Sequence, residues 1–205
     1  MKVLLINGSP RPKGNTSIAL QEMEKIFAEQ GIEVETIRVG HKDVRGCIAC
    51  GRCKDTGRCA FDDVVNETLP KLAEADGIVL ATPVYYASAN STLTAFCDRL
   101  FYANHADLTM KVGAAVAVCR RGGASAAFDQ LNKYFTISDM PVASSQYWNS
   151  VHGRAAGEAQ EDAEGLYNMR VLARNMAFLM KSIALGRAQY GLPETEEHVF
   201  TSFIR

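Results

Sequence analysis

Short apolar runs alternate along the chain with longer stretches of helical spacing. The runs at 3–6, 34–39, 77–82, 112–118 and 142–146 are each bounded by Gly, Pro, Asn, Asp or Ser, and their length and β-branched content predict strands. Between them, apolar residues at three- and four-residue spacing predict helices over 17–30, from 62 or 63 to 75, from 91 or 92 to 103, over 125–135 and over 160–186. Asn15 or Thr16 caps the first of these, and Gly31 suits its end. Pro70 falls inside the second, where a helix loses one hydrogen bond. In the last, Leu166, Met169, Leu172, Met176, Leu179, Met180 and Ile183 form one apolar face, so its methionines read as core. Strands that alternate with helices predict an α/β doubly wound sheet with helices on both faces. Such sheets bind ligands beyond the C-terminal strand ends, where loops 7–15, 83–90 and 119–123 are expected to meet. The pattern reads as a single domain over 1–187 with a cysteine-rich insert at 46–60, followed by a C-terminal arm over 188–205.

Composition narrows the picture. With 205 residues, 47% hydrophobic and a net charge of -1, the chain has the substance of one compact domain and no basic field for nucleic acid or anionic lipid. The opening MKVLLINGSP carries only a short apolar run, so neither a secretory leader nor a membrane span is expected, and the site of action is expected to be cytoplasmic. Six cysteines in a chain of this kind are expected to be reduced thiols rather than a disulfide framework. Cys97 and Cys119 stand in apolar runs and read as core.

The first loop carries the clearest chemistry. Asn7-Gly8-Ser9-Pro10-Arg11-Pro12-Lys13-Gly14-Asn15-Thr16-Ser17 joins a strand to a helix, so unpaired backbone N–H groups and the positive end of a helix dipole favour an anion. Neither G-x-G-x-x-G nor a P-loop is present, which disfavours a magnesium-nucleotide hydrolase. Hydroxyls, amides and Arg11 suit a metal-free phosphate monoester, while a plain polar turn capping a helix stays open as the alternative.

Three other segments stand out. Pro83 stiffens the exit from the third strand, and Tyr85 and Tyr86 offer flat surface to a planar ring or to an interface. Cys119-Arg120-Arg121-Gly122-Gly123 leaves the fourth strand with glycines that let a backbone approach a ligand, and with arginines that either favour a developing negative charge or are simply solvated. Tyr147-Trp148-Asn149-Ser150-Val151-His152-Gly153 borders a site or a partner subunit. The insert places Cys47, Cys50, Cys53 and Cys59 in a C-x2-C-x2-C-x5-C run. Four soft ligands so closely spaced suit a 4Fe-4S cluster or zinc, and metal-free thiols with a packing or redox role remain a third reading.

The stretch G-S-P-R-x-x-x-N-T directly after the first strand resembles the phosphate loop of the NADPH-dependent FMN reductase family. Thr82-Pro83-Val84-Tyr85-Tyr86, followed by a helix ending Cys97-Asp98-Arg99-Leu100, is similar to that family's segment along the isoalloxazine ring. The resemblance runs from the start of the chain to the fifth strand. It implies a flavodoxin-like five-stranded parallel sheet in the order 2-1-3-4-5, with FMN as cofactor and NAD(P)H as electron donor. It further implies a small-molecule or redox-protein acceptor and a homodimer or homotetramer. The residues it assigns to FMN are Ser9, Arg11, Asn15, Thr16, Ser17, Pro83, Val84, Tyr85, Tyr86, Arg120, Arg121, Gly122 and Gly123, and it assigns no acid–base residue. The cysteine spacing resembles that of the iron-sulfur flavoproteins, a branch carrying FMN and a 4Fe-4S cluster, with Cys47, Cys50, Cys53 and Cys59 as the implied ligands. Two other functions stay open: an electron-transfer module with no nicotinamide turnover, and a zinc-stabilised interaction protein without flavin.

Overall fold

The computed structural model describes residues 1–197, 199–201 and 203. Residues 198, 202, 204 and 205, within the arm expected over 188–205, lie outside the described residues.

Strand β1 (Lys2–Asn7) is buried from Val3 to Asn7, the continuous apolar run of a parallel strand covered on both faces. It pairs in parallel with β2 (Glu33–Arg38) on one side and β3 (Gly77–Tyr85) on the other. Beyond β3 come β5 (Val112–Cys119) and β6 (Ser150–His152), also parallel. A two-residue strand, β4 (Ser88–Ala89), folds back antiparallel on the end of β3. The sheet thus has six strands, with the path β2-β1-β3-β5-β6 and β4 set off it. Without that hairpin strand this is the expected doubly wound order.

The fifth parallel strand lies later than the sequence pattern places it. Residues 142–146 contribute one parallel bridge, Val142 to Gly113, held by Gly113 N–H to the Pro141 carbonyl (2.9 Å) and Ala143 N–H to the Gly113 carbonyl (2.8 Å). The chain then leaves the sheet through a turn in which the Ser145 hydroxyl donates to the Tyr147 carbonyl at 2.6 Å. Pairing resumes at Ser150, so the edge strand is split into two pieces.

Helices α1 (Asn15–Glu29) and α6 (Ala163–Tyr190) cover one face. Leu20, Met23 and Phe27 of α1 meet Met169, Leu172, Met176 and Met180 of α6 in that core layer, so the methionines pack as expected. A short 3-10 turn (Glu158–Glu161) precedes α6. Helix α6 begins after 160 and runs past Gly186 to Tyr190, taking in the first residues of the expected arm. Asp162 is its N-cap, its carboxylate accepting from Gly165 N–H at 2.9 Å.

Helices α3 (Val64–Glu74), α4 (Ser91–Ala103) and α5 (Ala124–Thr136) cover the other face through Leu72, Phe96, Leu100, Leu131 and Phe135. Helix α3 is unbroken at Pro70. The insert between β2 and α3 is mostly loop and contains one helical turn, α2 (Cys53–Thr56). Among the described residues, no helix is long and apolar enough to cross a membrane.

Candidate functional site

The β1–α1 loop is shaped by its own side chains. Asn7, at the end of β1, is 2% exposed; its Oδ1 accepts from Ser9 N–H (2.9 Å) and its Nδ2 donates to Ser17 Oγ (3.1 Å). Ser17 Oγ in turn donates to the Pro12 carbonyl at 2.9 Å, and Ser9 Oγ accepts from Arg11 N–H at 3.2 Å. Asn90, the N-cap of α4, ties the loop to the neighbouring strand: its Nδ2 donates to the Gly8 carbonyl (2.7 Å) and its N–H to Thr82 Oγ1 (2.8 Å). The chain after β2 crosses so near that a Cβ on Gly40 would fall inside the Gly8 carbonyl group. Gly14, not Asn15 or Thr16, is the N-cap of α1, and no side chain caps it. The first N–H groups of α1 are therefore not spent on a cap, and the helix presents its positive end to an anion.

One cavity at the C-terminal strand ends gathers Ser9, Arg11, Asn15 and Thr16 from this loop, Pro83, Val84 and Tyr85 from β3, and Arg120 from the exit of β5. Gly14, Val118, Cys119, Gly153 and Arg154 complete its wall. Burial pushes the Cys119 thiol up, so it lines the cavity as a neutral group.

The remaining sequence-assigned residues fall outside that wall. Ser17 is spent inside the loop, bonding Asn7 and Pro12, and so shapes the anion site without lining it. Tyr86 sits at the tip of the β3–β4 hairpin with φ 50° and is fully exposed (105%); the left-handed turn carries its ring into solvent instead of along the cavity. Arg121 and Gly122 are exposed on the outer side of the β5–α5 loop. Gly123 is the N-cap of α5 at φ 88°, packed so that a Cβ would lie 2.7 Å from Ala87 Cα. Its left-handed backbone serves the turn against the hairpin. Gly40 and Arg154 lie outside the segments that the sequence marks, whereas Asn7, Asn90 and Gly153 stand inside them without a role of their own. Asn7 carried a usable signal, a lone amide ending a strand before a loop. The others act through long-range packing.

The four insert cysteines also come together. Cys47, Cys50, Cys53 and Cys59 are free thiols lining one cavity with Phe61, Arg99 and Tyr102. Ala49 (φ 54°) and Gly51 (φ 73°) take left-handed backbone between them, which curls the loop. Cys47 Sγ accepts from Ala49 N–H (3.4 Å) and Cys59 Sγ accepts from Arg99 Nε (3.2 Å). Among the described residues no three His, Cys, Asp or Glu side chains are grouped closely enough to hold a metal ion as they stand. The donor chemistry suits a cluster: four soft cysteine sulfurs line one cavity, with N–H donors aimed at two of them.

Arg99 anchors the insert. It is 2% exposed and forms a two-pronged pair with Asp63, Nη1 to Oδ2 at 2.7 Å and Nη2 to Oδ1 at 2.9 Å. It also donates to the carbonyls of Arg45 and Phe61, each at 3.2 Å. Asp63 doubles as the N-cap of α3 through Val65 N–H. Burial raises the Cys97 thiol well above its ordinary value, consistent with its place in the core.

The family model for NADPH-dependent FMN reductase matches residues 1–155. An iron-sulfur flavoprotein of Methanocaldococcus jannaschii is 38% identical over 191 residues, which cover 89% of this chain and 99% of that protein. The structure superposes on RosB with a bound 8-demethyl-8-formylriboflavin-5'-phosphate intermediate at a TM-score of 0.71 and 17% identity, over 100% of this chain and 94% of that one. It superposes on an archaeal flavodoxin at 0.60 and 17%, over 88% and 99%. These two likenesses establish a flavodoxin-like fold. Matched by that family model over residues 1–155 and by this relative over most of its length, the chain belongs to the NADPH-dependent FMN reductase family, on the side of the iron-sulfur flavoproteins, and is an FMN oxidoreductase.

Proposed function

We propose that the protein takes hydride from NAD(P)H and passes the electrons, through a 4Fe-4S cluster on Cys47, Cys50, Cys53 and Cys59, to a small-molecule or redox-protein acceptor. The observation that carries this reading is the gathering of four free thiols around one cavity in a domain with a second cavity at its strand ends, lined by the β1–α1 loop, β3 and the exit of β5. When bound, FMN supplies a two-electron hydride acceptor and the cluster a one-electron carrier. The chain's own residues then bind and orient. Ser9, Thr16 and the open start of α1 receive the phosphate, and Pro83, Val84 and Tyr85 supply an apolar wall for the ring. Arg120 favours negative charge at the β5 end of the cavity. Arg99 and Ala49 direct N–H groups at cysteine sulfur.

Free thiols throughout support a cytoplasmic setting. A homodimer or homotetramer is proposed on the exposed Tyr167, Phe178 and Leu185, which fall on one face of α6 at helical spacing.

The test is FMN, iron and sulfide content of protein purified without oxygen, together with its NADH and NADPH oxidation rates. Flavin with about four irons per chain and nicotinamide turnover is the expected result. Flavin without iron would remove the cluster, and flavin-loaded protein inert to both nicotinamides would leave an electron shuttle.

A further inference from the structure

Three arginines, Arg11, Arg120 and Arg154, and no acidic residue are among those that line the cavity at the strand ends. Among the described residues none of the three forms an ion pair within 4 Å, as Arg58, Arg99 and Arg170 do; Arg154 has a longer-range attraction to Glu158, whose carboxyl it helps to hold below its ordinary value after the N–H groups of Ala155 and Arg154. Arg154 stands on the segment that leads from β6 into the 3-10 turn, and that segment is held in place by one side chain from the far end of the sequence. Asn15 Nδ2 donates to the Ala155 carbonyl (2.9 Å), while its Oδ1 accepts from Gly157 N–H (3.1 Å) and Ala159 N–H (3.2 Å). Both acceptor sites and one N–H of the Asn15 amide are thus spent on the segment.

The rest of the segment is equally fixed. Gly153 N–H donates to the Cys119 carbonyl at 3.0 Å, and Glu158 Oε2 accepts from the N–H groups of Arg154 (2.6 Å) and Ala155 (2.9 Å). Gly153 packs so tightly that a Cβ there would lie 2.6 Å from Asn15 Nδ2. Asn15 is the first residue of α1, so the latch brings Arg154 to the helix end where a phosphate is favoured. A phosphate monoester carries roughly -1.5 to -2 charge at neutral pH, more than Arg11 alone offsets.

We infer that Arg154 is a binding residue for the FMN phosphate, reaching it from the β6 side of the cavity, and that Asn15 is a positioning residue that holds Arg154 there instead of binding the phosphate through its own side chain. The inference rests on reading this cavity as the FMN site. It adds a second cation to the phosphate loop and makes the 153–159 segment part of the cofactor site.

The experiment is titration of FMN and of riboflavin, which lacks the phosphate, into the flavin-free full chain, read by flavin fluorescence. Arg154→Gln is expected to weaken FMN about 10- to 100-fold, the loss of a charge-assisted hydrogen bond, while riboflavin changes by less than about twofold. Arg154→Lys recovers part of the loss, since it keeps the charge without the fork. Asn15→Ala weakens FMN selectively too, and the double variant is no worse than the more damaged single, because Asn15 acts through Arg154. Wild-type FMN affinity in Arg154→Gln would overturn the inference. So would an equal loss of both flavins, which marks general damage to the cavity, or a double-variant loss equal to the product of the singles. If the wild-type chain bound no FMN at all, the reading of the cavity itself would fall.

Discussion

Replacing Arg99 by Met keeps an unbranched side chain of comparable length and removes every polar contact of the guanidinium. Arg99 spends its donors on Asp63, on the carbonyls of Arg45 and Phe61, and on Cys59 Sγ. Without it, the Asp63 carboxylate is left without its ion-pair partner beside a nearly fully buried position. Breaking a buried pair on one side costs about 3–5 kcal/mol. Asp63 keeps some access to water, its side chain being 26% exposed, so the low end applies, about 3 kcal/mol. In a chain of this length that is a fall in Tm of roughly 6–12 °C. Changing Asp63 to Asn as well removes the stranded charge while its amide oxygen can still cap α3, so the double variant should regain about 1–2 kcal/mol. The assay is urea unfolding followed by far-UV circular dichroism, with FMN and reductant held constant across variants, because ligand shifts apparent stability by mass action. A loss below about 1 kcal/mol in Arg99→Met, or a double variant less stable than Arg99→Met, would refute the claim that a paired buried charge anchors the insert.

Two further outcomes are expected. Hydrogen bonds from Lys25 and then from Arg170 hold the Glu22 carboxyl below its ordinary value of 4.5. The folded value is the depressed one, so this stabilisation is full above about pH 4.5 and is lost as pH falls through the lowered folded value. Glu22→Gln should therefore be less stable than wild type at neutral pH and converge with it in acid, as read by Tm across a pH series; a gap that persists unchanged at low pH would contradict the linkage. Gly40→Ala drives a methyl group into the Gly8 and Ser9 backbone, and overpacking of that kind costs about 1–3 kcal/mol. Because the displaced atoms belong to the loop proposed to hold the FMN phosphate, FMN affinity should fall at least about tenfold, and affinity within about twofold of wild type would show that the loop tolerates the shift.

Much of the fold was legible because β1, β3 and β5 are covered on both faces, and such strands announce themselves as unbroken apolar runs. The edge was harder. Residues 142–146 look more like a strand than Ser150-Val151-His152 does, yet it is the second run that pairs with β5 over Ala117, Val118 and Cys119. Which piece of an edge pairs is settled by tertiary contacts that a local pattern does not carry. The β1–α1 loop was readable because its residues lie in one stretch between a strand and a helix. Arg154 was not, since its place depends on a hydrogen bond between residues 140 apart in sequence. For Tyr86 the sequence suggests stacking because it follows Tyr85 in the same aromatic pair, whereas the turn at φ 50° places it in solvent.

Arg99 shows how the two halves of the site are joined. As a charged residue inside a helical pattern it would ordinarily face water, and only Asp63, fixed as the cap of the preceding helix, makes its burial tolerable. The same helix begins at Asn90, which holds the Gly8 carbonyl of the phosphate loop, and reaches Arg99 nine residues later, roughly 14 Å along its axis. One helix therefore has the β1–α1 loop, proposed to hold the flavin phosphate, at its start and the cysteine cavity near its end. A disturbance at Arg99 has a physical route to the flavin loop through the body of α4, whereas a disturbance at exposed Tyr86 has none. The helix that the sequence marks with C-D-R-L is for that reason the part of the fold on which both sites depend.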